Sequence, residues 1–178
     1  METVVDAFRR ASRGPTNNPS GGVLGLLLAL HHNNIVQWSR EDAARGDDAD
    51  DSTVAGVKRD IDALNAKRHE LVEAVDAALA ATLDQQPTAP PATESPAMVF
   101  DRLSVLVIRL HFTEDAAVMD GGDRDLYAAR LPILQEQLAL LQEALEALLE
   151  DVRAGRRRFL PYQSLKLYRS RTAGNHPG

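Results

Sequence analysis

The sequence predicts an all-α protein, an antiparallel up-down-up-down four-helix bundle with a short N-terminal helix and a basic C-terminal tail. Three observations predict this fold. Aromatic residues make up only 4% of the 178 residues, while Ala and Leu are plentiful, a composition that favours helices over sheets. Apolar residues recur at three- and four-residue spacing through four long segments, as they do on one face of a helix. The connections between these segments are short, which favours antiparallel neighbours.

The first elements are bounded by residues that typically start or stop helices. A short helix is expected over ETVVDAFRR at residues 2–10. The first long helix is predicted over 19–45, because Asn18 can cap a helix whose first residue is Pro19. The second long helix is predicted over 52–83, after an acidic turn that contains Gly46.

The last two helices are predicted in the same way. Ser95, which precedes a proline, predicts the start of the third long helix at 96–118. The Gly121–Gly122 turn separates it from the fourth, predicted over 123–154. Pro132 lies well inside this last segment and removes a backbone donor, so we expect a kink there or a split into two helices.

Loop length limits the topology. The second long helix would be about 48 Å long at 1.5 Å per residue, whereas residues 84–93 reach at most about 36 Å when fully extended. A parallel third helix would need nearly all of that reach, so the antiparallel arrangement is expected. At 178 residues the chain fits one domain, 1–178, with 155–178 as the basic tail.

Charge is distributed unevenly along the chain. The net charge is −6, yet no acidic residue follows Asp151, and the seven basic residues beyond it leave +7 on residues 152–178 and −13 on the rest. We expect the tail to pack on the acidic body or on another subunit of a homo-oligomer rather than on nucleic acid. The chain contains no cysteine, and its apolar run at 23–30 is shorter than a transmembrane span, so a cytoplasmic protein is expected.

Polar residues interrupt the core-facing stripes of the four long helices, and they lie toward one end of the predicted bundle. They occupy the C-terminal parts of the first and third helices and the N-terminal parts of the second and fourth, which meet when neighbours alternate in direction. Counting from the turns places His31, Arg68, Arg102 and Gln137 in one layer. An unpaired buried arginine is costly, so an acid, an anion or water is expected beside Arg68 and Arg130.

The sequence therefore predicts a polar pocket at that end of the bundle. Arginines and Lys58 would hold an anionic group and Trp38 would stack on a ring. The candidate ligand-binding residues are His31, Asn34, Trp38, Asp42, Arg45, Lys58, Asn65, Arg68, Arg102, His111, Glu114, Arg130 and Gln137. No catalytic residue, metal ligand or cofactor is assigned.

Three alternatives remain open at this stage. The same residues could form a buried salt-bridge network in which Asp42 or Glu114 pairs with Arg68 or Arg130. The protein could be a purely structural homo-oligomeric module held together by its tail. It could bind metal, although the Glu-x-x-His pairs of ferritin-like bundles do not occur here.

An enzyme is a further alternative. His31 or His111 would act with Asp42 or Glu114 as an acid–base pair. No nucleophile elbow, phosphate-binding glycine loop or zinc motif accompanies them. The sequence does not name a reaction.

Four blocks of sequence resemble a bacterial family of unknown function, domain of unknown function 4254. The blocks are LHHNNIVQWSREDAAR, VKRDIDALNAKRHELVEAVD, SPAMVFDRLSVLVIRLH, and RLPILQEQ with AGRRRFLPYQSLKLY. The family pattern His-x-x-Asn-x-x-x-Trp-x-x-Glu-Asp-x-x-Arg matches His31, Asn34, Trp38, Glu41, Asp42 and Arg45. Later blocks match at Lys58, Asp62, Asn65, Arg68, Asp101, Arg102 and Arg130, whereas His69 stands where the family has Asn.

This resemblance covers about residues 24–168. It implies an all-helical cytoplasmic protein, with a loose link to genes for cell-envelope polysaccharides or glycosyltransferases. It implies no particular activity.

Overall fold

The computed structural model describes residues 3–14, 21–43, 51–119 and 122–165, and all of its regular elements are helices. The all-α prediction is confirmed. The five helices are α1 (Val4–Arg13), α2 (Gly22–Ala43), α3 (Asp51–Thr82), α4 (Pro96–Val118) and α5 (Arg124–Arg153). The expected cap at Asn18 and Pro19, and the candidate site residue Arg45, lie outside the described residues.

Local sequence accounts for the helix ends. Thr3 caps α1 through a capping box with Asp6, and Ser95 caps α4, with Pro96 at its first position. Both motifs satisfy backbone N–H groups that would otherwise have no partner in the first turn. Pro132 lies inside α5, which continues as one helix from Arg124 to Arg153, so the expected split into two helices is wrong.

Helix α4 is the centre of the fold, because it packs against all four other helices. Its buried residues lie on more than one face and include Val99, Phe100, Leu103, Val107 and Ile108. A helix that is apolar on several faces is expected to be surrounded by other helices. The core forms between α4 and the inward faces of α1, α2, α3 and α5.

The arrangement of the other helices departs from the four-helix bundle expected from the sequence, which is not confirmed. Within the described ranges, α5 packs on α4 and makes no close backbone approach to α2 or α3. The short α1 packs against α2 and α4 instead. Helix α5 therefore has one buried stripe, which includes Leu134, Leu138 and Leu145, while Ile133 and Leu140 are exposed.

The chain after α5 turns back over the connection between α3 and α4. Gly155 takes a positive φ of 70°, and a Cβ there would lie 2.8 Å from Gln86 Cγ, so glycine is needed at this turn. Arg158 then forms a parallel bridge to Pro91. The carboxylate of Asp76, which is fully buried, accepts hydrogen bonds from the backbone N–H groups of Ala97 and Tyr162.

Some of the basic residues after α5 form ion pairs, and others lie outside the described residues. Arg156 and Arg157 pair with Asp151 at the end of α5. Lys166, Arg169 and Arg171 lie outside the described residues. Among the described helices, none is both long and apolar enough to cross a membrane.

Candidate functional site

A partly buried ion pair joins α3 to α4. Arg68 Nε donates to both carboxylate oxygens of Asp101 at 2.9 Å, and its Nη2 donates to Oδ2 at 2.5 Å. The side chains are 29% and 13% exposed, respectively. Such a forked, charge-assisted contact fixes the relative position of the two helices. The sequence had predicted Asp42 or Glu114 as the partner of Arg68, and the structure corrects this to Asp101.

The ion pair continues into a chain of hydrogen bonds that crosses the core. Asn34 Nδ2 donates to Asp101 Oδ1 at 2.9 Å and to Ser104 Oγ at 3.0 Å. Ser104 lies 2.9 Å from His31 Nδ1, and His31 Nε2 lies 2.9 Å from Ser12 Oγ. These hydrogen bonds thereby connect α3, α4, α2 and α1.

The hydroxyl groups fix the direction of this chain and the tautomer of His31. Ser12 donates its only hydroxyl hydrogen to the Phe8 carbonyl at 3.1 Å, so its oxygen must accept from His31 Nε2–H. His31 Nδ1 is then unprotonated and accepts from Ser104, whose oxygen accepts from Asn34. All of these donors and acceptors are satisfied when the imidazole is neutral.

Burial favours the same neutral state. His31 is fully buried and stacks on Phe8 with ring centroids 4.5 Å apart. Desolvation of the charged form lowers the pKa of His31 from 6.5 to about 4, and the nearby Phe8 backbone opposes this only in part. Its ring nitrogens contact Ser12 and Ser104 rather than Asp42 or Glu114. The arrangement is that of a structural histidine.

A second group of amides lies farther along α2. Gln37 Nε2 donates to Glu41 Oε1 at 2.9 Å and to Asn65 Oδ1 at 3.1 Å. The Oδ1 atom of Asn34 and the Oε1 atom of Gln37 are buried and have no hydrogen-bond partner among the described residues. We call the cavity of about 250 Å³ that Asn34 and Gln37 line together with Glu41, Arg68 and Arg109 the amide cavity.

Two larger depressions lie alongside it, where α5 stays apart from α2 and α3. The first, of about 600 Å³, is the apolar groove, lined by Arg68, Arg102, Val105, Leu106, Arg109, Gln137, Leu140, Leu141 and Ala144. The second, of about 720 Å³, is the aromatic groove, lined by Trp38, Asp42, Arg109, Phe112, Thr113, Ala116, Tyr127, Arg130, Ile133, Leu134 and Gln137. Arg109 lines both grooves and the amide cavity.

Aromatic side chains form one wall of the aromatic groove. Trp38 stacks on Phe112 with centroids 5.6 Å apart and nearly parallel planes. The guanidinium carbon of Arg130 lies 5.6 Å from the centroid of the Tyr127 ring. A flat apolar surface with cations beside it suits a ligand that combines a ring and an anionic group.

The predicted site residues fall into three places. His31, Asn34 and Arg68 belong to the chain of hydrogen bonds across the core, and Asn65 belongs to the second group of amides. Trp38, Asp42, Arg102, Arg130 and Gln137 line the two grooves. Lys58 is exposed, and Glu114 is partly buried; neither lines these cavities.

His111 has a different acidic neighbour from the one the sequence suggested. Its Nε2 atom lies 3.7 Å from Asp115 Oδ2, one turn away on the same helix. It also packs at a tilt on Phe112. In the part of the chain that the structure describes, no three His, Asp or Glu side chains are grouped so that they could hold a metal ion.

Several residues that shape the site were missed by the sequence analysis. Gln37 and Arg109 are polar residues in apolar helices, and their spacing could have indicated them. Gln37 lies three residues after Asn34, and Arg109 lies seven residues after Arg102, so the members of each pair share one face of their helix. Ser12 and Ser104 gave no such signal, because small hydroxyl residues are common in helices that bury them for packing alone.

Comparison with known proteins gives one match. The family model described as Protein of unknown function (DUF4254) matches residues 25–160, which is more than half of the chain. No curated protein and no solved structure is detectably similar to it.

Proposed function

The chain belongs to the DUF4254 family of proteins of unknown function, and we propose that it is an accessory protein that binds a small anionic ligand. The ligand would lie where the two grooves and the amide cavity meet, beside Arg109. This places the anion at the junction of α4 with α5. The family description supplies no activity.

The single observation that carries the proposal is the position of Arg109. Its neighbours Arg68 and Arg102 have acidic partners, Asp101 and Glu94. No described acidic residue pairs with Arg109, although it lines all three cavities. A guanidinium at the junction of concave surfaces offers forked donors to a phosphate or carboxylate.

The surroundings of Arg109 support an anionic ligand further. Arg130, on the facing helix α5, lines the same aromatic groove, and it too has no ion pair with a described residue. The groove volume of about 720 Å³ lies within the range of roughly 300–1,000 Å³ that is usual for small-molecule sites. Two arginines and an aromatic wall would hold the charged and the flat parts of one ligand.

Titration of the protein with inorganic pyrophosphate, followed by calorimetry, tests the proposal. Arg109→Met keeps an apolar stem of similar length but removes the donors, so we expect pyrophosphate to bind about 10- to 100-fold more weakly, since a hydrogen bond to a charged group contributes about 1.5–3 kcal/mol. Arg153→Met is the matched control, because Arg153 is exposed at the end of α5 and lines neither groove. Equal binding by the two variants would contradict the proposal, as would an absence of pyrophosphate binding by the wild type.

A second candidate function, homo-oligomeric assembly, is favoured by the exposed side of α5. Leu126, Ile133 and Leu140 are large, exposed, and seven residues apart, so they form one stripe along the helix. Exposed apolar stripes of this kind are common in surfaces that pack against another helix. Assembly and ligand binding are compatible, because Ile133 and Leu140 also border the grooves.

The remaining expectations stay predictions. They are the cytoplasmic location, the single domain with a basic tail, and the link to cell-envelope polysaccharide genes. We do not propose an enzyme, since both ring nitrogens of His31 contact serine hydroxyls rather than Asp42 or Glu114, and the acidic neighbour of His111 is Asp115.

A further inference from the structure

We infer that the ligand is a phosphorylated polyol, such as a monosaccharide phosphate, whose hydroxyl groups donate to Asn34 and Gln37 while its phosphate binds Arg109. The inference rests on the proposed function and names the class of ligand that this site would take. It is carried by the unpaired carbonyl oxygens of two residues, Asn34 and Gln37, that line the amide cavity.

The orientation of the Asn34 amide is fixed by its neighbours. Its Nδ2 group donates to Asp101 and Ser104. Turning the amide over would place its carbonyl oxygen against the Asp101 carboxylate, where two acceptors would repel each other. Oδ1 is therefore the end without a partner, in a residue that is only 5% exposed.

Gln37 is held in the same way, one helical turn farther along α2. Its Nε2 group donates to the carboxylate of Glu41 and to Asn65 Oδ1, so the reversed amide would again face acceptors. Oε1 is left unpaired in a residue that is 9% exposed. A buried acceptor without a hydrogen bond is costly, and two in one cavity indicate that donors complete the site.

Hydroxyl groups suit these acceptors better than ammonium groups do. The charges around this cavity nearly balance, because Glu41 lines it together with Arg109, and Arg68 is paired with Asp101. A buried ammonium group would therefore lack a counter-charge of its own. A hydroxyl group is neutral, and it can donate to an amide oxygen while accepting from a guanidinium.

Size and shape also favour a small polyol. The amide cavity, at about 250 Å³, lies below the range of roughly 300–1,000 Å³ for drug-sized ligands. Trp38 lines both this cavity and the aromatic groove, so its ring offers an apolar surface to the carbon skeleton of a sugar. Arg109 borders both spaces, which places a phosphate at the mouth and the hydroxyl groups inside.

The test compares phosphates of equal charge that differ in their hydroxyl groups. Methyl phosphate, glycerol 3-phosphate, glucose 6-phosphate and glucose 1-phosphate would each be titrated into the full-length protein by calorimetry. We expect at least one hydroxylated phosphate to bind about tenfold or more tightly than methyl phosphate, since each hydrogen bond contributes about 0.5–1.5 kcal/mol.

Variants then locate that preference in the amide cavity. Gln37→Met removes the Oε1 acceptor at similar volume, together with the Nε2 donor to Glu41 and Asn65, so the hydroxylated ligand should lose more affinity than methyl phosphate does and the preference should fall. Gln135→Met, at an exposed position of α5 that lines none of the three spaces, should retain the preference. Far-ultraviolet circular dichroism checks that each variant folds, and deoxy analogues of the preferred ligand test the same contacts without any substitution.

The outcomes separate this inference from the proposed function. If all phosphates bind equally, the hydroxyl inference is overturned, water is the partner of the two amides, and the anion site stands. If the preference survives Gln37→Met and the deoxy analogues bind as well as the parent, the inference is likewise overturned. If no phosphate binds, the proposed function fails together with it.

Discussion

Breaking the ion pair between Arg68 and Asp101 should destabilise the protein far more than breaking an exposed pair. The pair carries three short N–O contacts, and its side chains are 29% and 13% exposed. Removing one member of a fully buried pair costs about 3–5 kcal/mol, because the other charge is left without a partner. Partial exposure lets water reach the remaining charge, so we expect about 2–3 kcal/mol for Arg68→Met.

A double-mutant cycle isolates the contact itself. Arg68→Met, Asp101→Asn and the double variant would be unfolded with urea, and the coupling free energy taken from the four unfolding free energies. We expect a coupling of about 1.5–2 kcal/mol, which lies within the range for residues in direct contact. For a chain of this size the Arg68→Met variant should melt about 5–10 °C below the wild type.

The pair between Arg40 and Asp60 provides a matched control on the surface. Its atoms are 3.7 Å apart and both side chains are 54% exposed, so the same cycle should give at most about 0.5 kcal/mol. If the Arg68–Asp101 coupling were no larger than that of the control, the ion pair would not hold α3 against α4, and the reasoning from burial would be refuted.

Two other predictions follow from the buried histidine and from α5. In the unfolded chain His31 takes up a proton near pH 6.5, but in the folded protein it does so only near its pKa of about 4. Between these two pH values the unfolded state therefore binds more protons than the folded state. The free energy of unfolding should fall as the pH drops through this window, by about 3 kcal/mol in total. Urea unfolding from pH 7 to 4 should show this loss of stability in the control variant His32→Gln, whose substituted residue is exposed, and should not show it in His31→Gln. If stability fell equally with pH in the wild type and in His31→Gln, the contribution of His31 would be ruled out. If the protein assembles through α5, replacing both Ile133 and Leu140 with serine should lower the oligomer mass measured by light scattering. An unchanged oligomer mass would show that the subunits meet elsewhere. A monomeric wild type would exclude homo-oligomeric assembly.

The helices follow from local sequence because their signals act within a few residues. The Ser95 cap and the proline after it start α4 where they predict, and apolar spacing gives the extents of α3 and α5 to within about two residues. Pro132 did not divide α5. The lost backbone hydrogen bond is there outweighed by packing of Leu134 and Leu138 on α4.

The site could be predicted only in part from the sequence. The need of Arg68 for an acidic partner followed from its place among apolar neighbours. Its actual partner, Asp101, could not be chosen from periodicity, because a long arginine side chain can reach a residue that lies to one side of the core-facing stripe. The neutral state of His31 could not be foreseen either, since Ser12 and Phe8 of α1 contribute to it and the sequence alone did not place α1 relative to α2.

The sequence by itself determined that the chain is helical, where α3, α4 and α5 begin and end to within about two residues, and which polar residues must be accommodated between the helices. The tertiary structure decided which groups meet: Asp101 with Arg68, Ser104 with His31, and α5 with α4. The physical reason is that periodicity fixes only the direction of a side chain about its own helix. The rotation and offset between helices depend on how all of their surfaces pack together, and those two quantities place Arg109 where the grooves and the amide cavity meet.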